Sequence, residues 1–224
     1  MRKTFFALGL LLLTASFGLG QNEQSPMVEK DINYKNWKYK SIQTGSEIDL
    51  RDYTKDKKLV VVVYYAPWCP NWRHDAPMLE SLYEKYKGQG LGIIAVGEYD
   101  PVESMKTNYE TLKLTFPAVY ESVDRAEKQK TSHYDYRRST GDSRNWGSPY
   151  YVLLMPSELQ KKGDTLTKKT LVINGELMPS EGESFIRKQL GLPAIDPKAA
   201  VGDKDKVEGC DPDKPTIITA LKKP

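Results

Sequence analysis

Residues 59–77 read LVVVVYYAPWCPNWRHDAP, and this stretch decides the fold. Leu59 to Tyr65 is β-branched and aromatic with no polar alternation, the pattern of a strand buried on both faces of a largely parallel sheet. Pro70 to Lys87 carries Met78, Leu79, Leu82, Tyr83 and Tyr86 at helical spacing and stops before Gly88, so it predicts a helix. Cys69 stands between the two. Pro70 suits the first helical position because its ring fixes φ and its missing N–H is not needed there. The thiol is thereby placed at a helix N-terminus, where unpaired backbone donors favour the thiolate. Such sites lower a cysteine pKa from about 8.5 into roughly 3.5–7.5. The competing reading is a buried, inert core cysteine.

Outward from this stretch the chain keeps alternating. Leu91 to Val96 predicts a second buried strand, Pro101 to Leu112 a helix, and Phe116 to Tyr120 a short strand. Glu121 to Arg138 is charged and helix-compatible, Ser139 to Pro149 is loop-like, and Tyr150 to Met155 is the next strand. Thr165 to Ile173 with Asn174 and Gly175 suggests a strand entering a hairpin-type turn, and Ser184 to Leu190 a closing helix. Alternation of this kind predicts an α/β domain built from crossover units. Residues 21–36 are polar without an apolar period and read as an N-terminal extension, 37–192 as the domain, and 193–224, with five prolines, as a flexible tail.

Residues 1–20 have the three-part layout of a secretory signal: Arg2 and Lys3, an apolar run from Phe5 to Leu13, then small residues up to Gly18 and Gly20. The run to Leu19 is shorter than the roughly 20 apolar residues of a spanning helix, so no stable membrane span is expected after signal removal. No cysteine near Gly20 offers a lipid acceptor. The implied place is the periplasm or another exported, oxidising compartment. Of 224 residues 39% are apolar and 28% charged, with 14 Tyr and 4 Trp, too aromatic for a disordered chain. Without Arg2 and Lys3 the chain carries 31 basic against 30 acidic residues, which argues against nucleic-acid partners. Two cysteines and two histidines leave little for a metal cage, and no cofactor is implied.

The segment Tyr65 to Pro77 resembles the active-site region of thioredoxin-like proteins, and within them the exported TlpA-like redoxin group with its WCxxCRxExP pattern. Trp68, Cys69, Arg73 and Pro77 match, Asp75 stands where that group has Glu, and Trp72 replaces the second cysteine. A looser similarity runs from about Trp37 to Leu192. The resemblance implies a thioredoxin-like fold, a central mixed β-sheet flanked by helices. It also implies that Gly147, Ser148 and Pro149 form a loop facing Cys69 with a cis bond before Pro149. In a CxxC enzyme the second thiol releases the bound client from within; here that step is missing. One turn beyond Cys69, Trp72 would share its helix face and limit access to the sulfur. The buried acid that thioredoxin carries six positions before its first cysteine is Val63 here. Asp75 is then either the proton-transfer group or a solvated helix acid.

The implied function is a thiol-disulfide oxidoreductase working with one cysteine on protein or small thiols. Cys69 and Asp75 would be catalytic, Trp68, Trp72, Ser148 and Pro149 would hold the client, and an external thiol reductant would complete the cycle. A second reading is a client-binding module that has lost catalysis. A third, a peroxiredoxin-type peroxidase, lacks its PxxxTxxC signature because Ala66 stands three positions before Cys69. His74 and His133 read as surface residues, Arg137, Arg138 and Arg144 as a solvated face, and Trp146 as packing or a groove wall. Cys210 is either a spare exposed thiol or a resolving cysteine that pairs with Cys69. Pairing over so long a loop is entropically permissible and requires Cα atoms within about 7 Å.

Overall fold

In a computed structural model the protein is described at residues 23–195 and at Cys210. Residues 1–20, read above as a leader, lie outside the described residues. Along the chain run β1 (Gln24–Ser25), β2 (Val28–Lys35), β3 (Lys38–Ser41), β4 (Glu47–Asp49), α1 (Leu50–Thr54), β5 (Leu59–Tyr65), α2 (Pro70–Tyr86) and β6 (Leu91–Gly97). They are followed by α3 (Val102–Leu112), β7 (Ala118–Tyr120), α4 (Ser132–Ser139), β8 (Tyr150–Leu154), β9 (Thr165–Ile173), β10 (Glu176–Leu177) and α5 (Pro179–Leu190).

One mixed sheet has the order β2-β9-β8-β5-β6-β7-β3-β4. β5, β6 and β7 are parallel, joined by α2 and α3, while β8, β9 and β2 continue antiparallel on one side and β3 and β4 on the other. The run read as doubly buried is buried at all seven positions of β5. Alternation divides it between two cores. Leu59, Val61, Val63 and Tyr65 meet Trp72, Leu79 and Ile186 on the α2/α5 face. Val60, Val62 and Tyr64 meet Tyr34, Trp37 and Tyr136 on the other.

That second core corrects the boundary drawn at residue 37. β2 belongs to the main sheet, paired antiparallel with β9, and its Ile32 and Tyr34 are buried. Tyr34 Oη lies 2.8 Å from the Tyr64 hydroxyl and accepts from Trp37 Nε1 at 3.0 Å. As an edge strand it needs only two apolar residues facing inward, and its Glu29, Lys30 and Asp31 hide the period. The Asn174–Gly175 turn also differs from expectation: β10 pairs in parallel with β1, not back onto β9. The charged stretch 121–138 splits into a 3₁₀ turn at Arg125–Lys130 and α4, which begins where the Thr131 side chain accepts from Tyr134 N–H.

Candidate active site

Cys69 is the N-cap of α2, with extended backbone, Pro70 behind it and no acidic residue in the first helical turn. Its amide donates to Ala66 O at 3.0 Å and its carbonyl accepts from Arg73 N at 3.2 Å, so the 66–69 turn passes directly into the helix. The Ser148–Pro149 bond is cis, as expected. Ser148 Oγ accepts from Ala66 N at 2.9 Å and ties the two loops together.

The thiol is not alone. Cys69 is disulfide-bonded to Cys210, with Cα atoms 4.7 Å apart, which overturns the spare-thiol reading and gives the tail a fixed seat at that residue. Both sulfurs lie against one acceptor, the Ser148 carbonyl, at 3.2 Å from Cys69 and 3.1 Å from Cys210. Neither sulfur of a disulfide carries a proton, so these are close S···O approaches. On reduction the same carbonyl can accept from an S–H group.

The expected client-contact residues are brought to this point but are not open. Trp68 is 9% exposed, Ser148 1%, and Trp72 and Cys69 0%, and Pro149 is buried as well. Trp72 does not cover the sulfur from outside. It is core, with its ring centroid 4.4 Å from that of Tyr65 and its Nε1 donating to Asn108 Oδ1 at 2.9 Å. Asn108 Nδ2 and Arg73 Nε both donate to Pro67 O, so Trp72 props the loop that presents Cys69. Trp68 packs edge-on to Trp146, with centroids 5.2 Å apart, and the Arg125 guanidinium sits over its ring. Its indole N–H has no acceptor among the described residues.

Asp75 is buried, which removes the solvated reading. Its Oδ2 accepts from the Tyr151 hydroxyl and from Leu177 N at 3.0 Å. Burial raises its pKa to about 7 against the lowering pull of those two donors. No hydrogen bond joins it directly to Cys69 among the described residues. His74, on the next position, places Nδ1 3.5 Å from the buried Glu176 carboxylate.

Three residues assigned to the surface instead hold the Ser148–Pro149 loop. His133 is fully buried. It stacks on Tyr64, its Nδ1 lies 2.8 Å from the Tyr99 hydroxyl and its Nε2 3.0 Å from Gly147 O. A carbonyl can only accept, so Nε2 carries the hydrogen and Nδ1 accepts from Tyr99. Burial first, then the charge of Arg137, holds this imidazole well below the usual histidine range, in its neutral form. Arg137, 1% exposed, donates to the carbonyls of Arg144 and Asn145. Arg144 grips Asp142 and Glu23 and donates to Pro149 O at 2.8 Å and Ser148 O at 3.4 Å. A guanidinium therefore shares the Ser148 carbonyl with both sulfurs, its own charge matched by Asp142 and Glu23. Only the nearness of these arginines to Pro149 in sequence hinted at it.

Gly147 has φ +59, and a Cβ there would run into Arg137 Cδ. Gly147→Ala is expected to lose about 1–3 kcal/mol in urea unfolding, from left-handed backbone strain plus displacement of a buried guanidinium. An unchanged midpoint would mean that Arg137 does not clamp the loop.

The comparisons agree with this fold. Residues 31–145 match the AhpC/TSA family. Two curated relatives named thiol-disulfide oxidoreductase ResA are 35% identical over 80 residues (Geobacillus kaustophilus) and 33% over 75 residues (Halalkalibacterium halodurans). The matches cover 36% and 34% of this chain and 45% and 42% of those proteins, less than half of their length. A thioredoxin-family thiol:disulfide interchange protein from Chlorobium tepidum superposes with TM-score 0.52 at 15% identity, over 72% of this chain and 98% of that one, which is a likeness of fold. With the matched segment taking in β5, Cys69 and α2 within a mixed sheet flanked by helices, the chain belongs to the AhpC/TSA redoxin family and has a thioredoxin-like fold.

Proposed function

We propose that this chain is an exported thiol-disulfide oxidoreductase that attacks through Cys69 and uses Cys210 as its second sulfur. The observation that carries the proposal is the Cys69–Cys210 disulfide lying on the Ser148 carbonyl of the cis-proline loop. The lone-cysteine cycle expected from Trp72 gives way to one in which a distant cysteine supplies the internal attack. Reduced Cys69, favoured as thiolate by the α2 N-terminus, attacks a client disulfide and expels one client thiol. Cys210 then attacks the Cys69 sulfur of the mixed disulfide, expels the second client thiol and restores the Cys69–Cys210 bond. The client gains two electrons and the protein loses two. An external thiol reductant returns them, and no cofactor enters these steps.

Asp75 is the proton-transfer group of this reading, because its buried carboxyl, with a pKa of about 7, changes charge near neutral pH within two turns of Cys69; with no direct hydrogen bond to the sulfur, it acts only through intervening groups. Trp68, Ser148 and Pro149 are the client contacts once the disulfide opens, and Trp72 acts behind them through Asn108 and Pro67. Export rests on the leader-like residues 1–20 and is consistent with a persistent disulfide. No described helix is long and apolar enough to cross a membrane. The names of the ResA relatives support the reaction class. A client-holding role without exchange would need an exposed groove, and Trp68, Trp72 and Pro149 are covered.

Trapping tests the reading. Cys69→Ser is expected to give no mixed disulfides with a reducible protein such as insulin. Cys210→Ser should accumulate a Cys69-linked adduct that the parent resolves. Equal adduct lifetimes in Cys210→Ser and parent would remove Cys210 from the cycle, and adducts in Cys69→Ser would move the attacking thiol elsewhere.

A further inference from the structure

We infer that the protein selects its clients by charge: the Lys128 ammonium, backed by the buried Arg137 and flanked by Arg125, receives a carboxylate that the client carries a few residues from its reacting cysteine. This rests on the oxidoreductase reading and names its substrate class, a polypeptide disulfide with an acidic side chain near the sulfur.

Two cations are laid on two tryptophans beside Cys69. The Arg125 guanidinium sits 5.2 Å over the Trp68 ring and the Lys128 ammonium 4.4 Å over the Trp146 ring. Those rings meet edge to face, with centroids 5.2 Å apart, and Trp68 directly precedes Cys69. Lys128 Nζ also donates to Asn145 Oδ1 at 2.8 Å, while Arg137 donates to the carbonyl of the same residue at 3.0 Å. Ring faces and hydrogen bonds fix where these charges stand before a client arrives, so little ordering remains to be done on binding. Lys128 and Trp146 are half-buried and Arg125 and Asn145 exposed, which puts the patch at the surface.

Lys128 differs from the other cations here in having only neutral partners. Among the described residues no carboxylate lies within ion-pair distance of Lys128 or Arg137. The acids nearby are engaged elsewhere: Asp100 with Arg125 at 3.8 Å, Glu127 with Lys130 at 4.0 Å, and Asp142 and Glu23 with Arg144. Asp124 caps the 3₁₀ turn by accepting from Ala126 N. Arg137 meets only backbone carbonyls, and its Nε has no acceptor. Burial first, then the charge of Arg137, draws the Lys128 pKa below the usual lysine value. An arriving carboxylate offsets both effects and gains a charge-assisted hydrogen bond. Lys128 stands two ring contacts from Trp68, and an extended chain covers about 3.3–3.6 Å per residue, so an acid about two to four residues from the client cysteine reaches it.

The experiment uses reduced full-length Cys210→Ser protein and three peptides that differ only in the residue two positions from their single cysteine, Asp, Asn or Lys. Each peptide is joined by a disulfide to thionitrobenzoate. The Cys69 thiolate bonds to the peptide sulfur, the old disulfide breaks, and thionitrobenzoate leaves with the electron pair and is followed by its absorbance. At low ionic strength the Asp peptide is expected to react about tenfold faster than the Lys peptide, with Asn between, and about 0.5 M salt should shrink that ratio below about threefold. Lys128→Gln should bring the low-salt ratio to about threefold or less, and Lys128→Glu should bring it to unity or invert it. A parent ratio below about threefold, or a larger ratio that survives Lys128→Gln, would overturn the inference. Insulin reduction by the parent separates the two proposals. Insulin turnover without a peptide preference refutes this inference alone, and a preference without insulin turnover refutes the oxidoreductase reading alone.

Discussion

Trp72→Cys, which rebuilds a CxxC sequence, is expected to destabilise the protein by about 3–5 kcal/mol, the range for truncating a buried tryptophan. Residue 72 lies one turn from Cys69, so the two sulfurs would face each other, yet the indole is fully buried against Tyr65 and donates to Asn108. Its loss leaves a cavity under the Ala66–Cys69 turn and strips Asn108 Oδ1 of its donor. Cys69 also already has a partner in Cys210. Urea unfolding of the oxidised protein measures the change, and a midpoint equal to the parent's would show that Trp72 does not support this core. Any gain in insulin reduction should therefore be confined to mild temperatures.

Asp75→Asn should alter stability in a strongly pH-dependent way. In the folded protein the Asp75 carboxyl keeps its proton up to about pH 7, mainly through burial, whereas its ordinary value is 3.8. Between those two values the native state holds a proton that the unfolded chain has released. Stability therefore falls as pH rises, by about 1.4 kcal/mol per pH unit, and levels off above the folded pKa after losing on the order of 4 kcal/mol. Asparagine has no such slope. Comparison of parent and variant unfolding from pH 4 to pH 8 should show the variant gaining relative stability throughout the rise, and parallel curves would contradict the buried titrating acid. The reduced thiol gives a second readout. Six helical residues place Asp75 about 9 Å from Cys69 along the axis. An ionised carboxylate at that distance or beyond opposes the thiolate by at most about 2 kcal/mol, and only above about pH 7, where Asp75 gives up its proton. Above that pH, removing the charge should favour the Cys69 thiolate, as followed by thiolate absorbance.

How much of this was legible in the sequence depended on whether a signal was local. β5 announced itself because a strand covered on both faces must be apolar at every position, and Cys69 followed because Pro70 marks the helix start. The cis bond before Pro149 was readable through the resemblance. β2 was missed because an edge strand can satisfy its core with Ile32 and Tyr34 alone. His133, Arg137 and Arg144 escape a reading of the sequence, and the burial of Asp75 stays open in it, for a common reason. Polar side chains read as solvated unless their partners are visible, and the partners here come from distant elements: Tyr151 and Leu177 for Asp75, Tyr99 and Gly147 for His133, Glu23 and Pro149 for Arg144. Cys210 carries no local signature at all, because nothing around it in sequence records which surface it reaches.

The sulfur bridge spans 141 positions, so in the unfolded chain it ties most of the domain into one ring. Closing a ring of that size removes unfolded-state entropy worth about 5 kcal/mol at room temperature in the chain-entropy treatment. A redox protein with a CxxC pair opens and closes only a four-residue ring, and its chain topology hardly changes with its electron count. In the proposed cycle each turnover would alternate between a ring-closed polypeptide and a linear one. The linear form, which would hold the client, lacks that entropic support, so the reduced domain depends on its two cores and on the clamped Ser148–Pro149 loop.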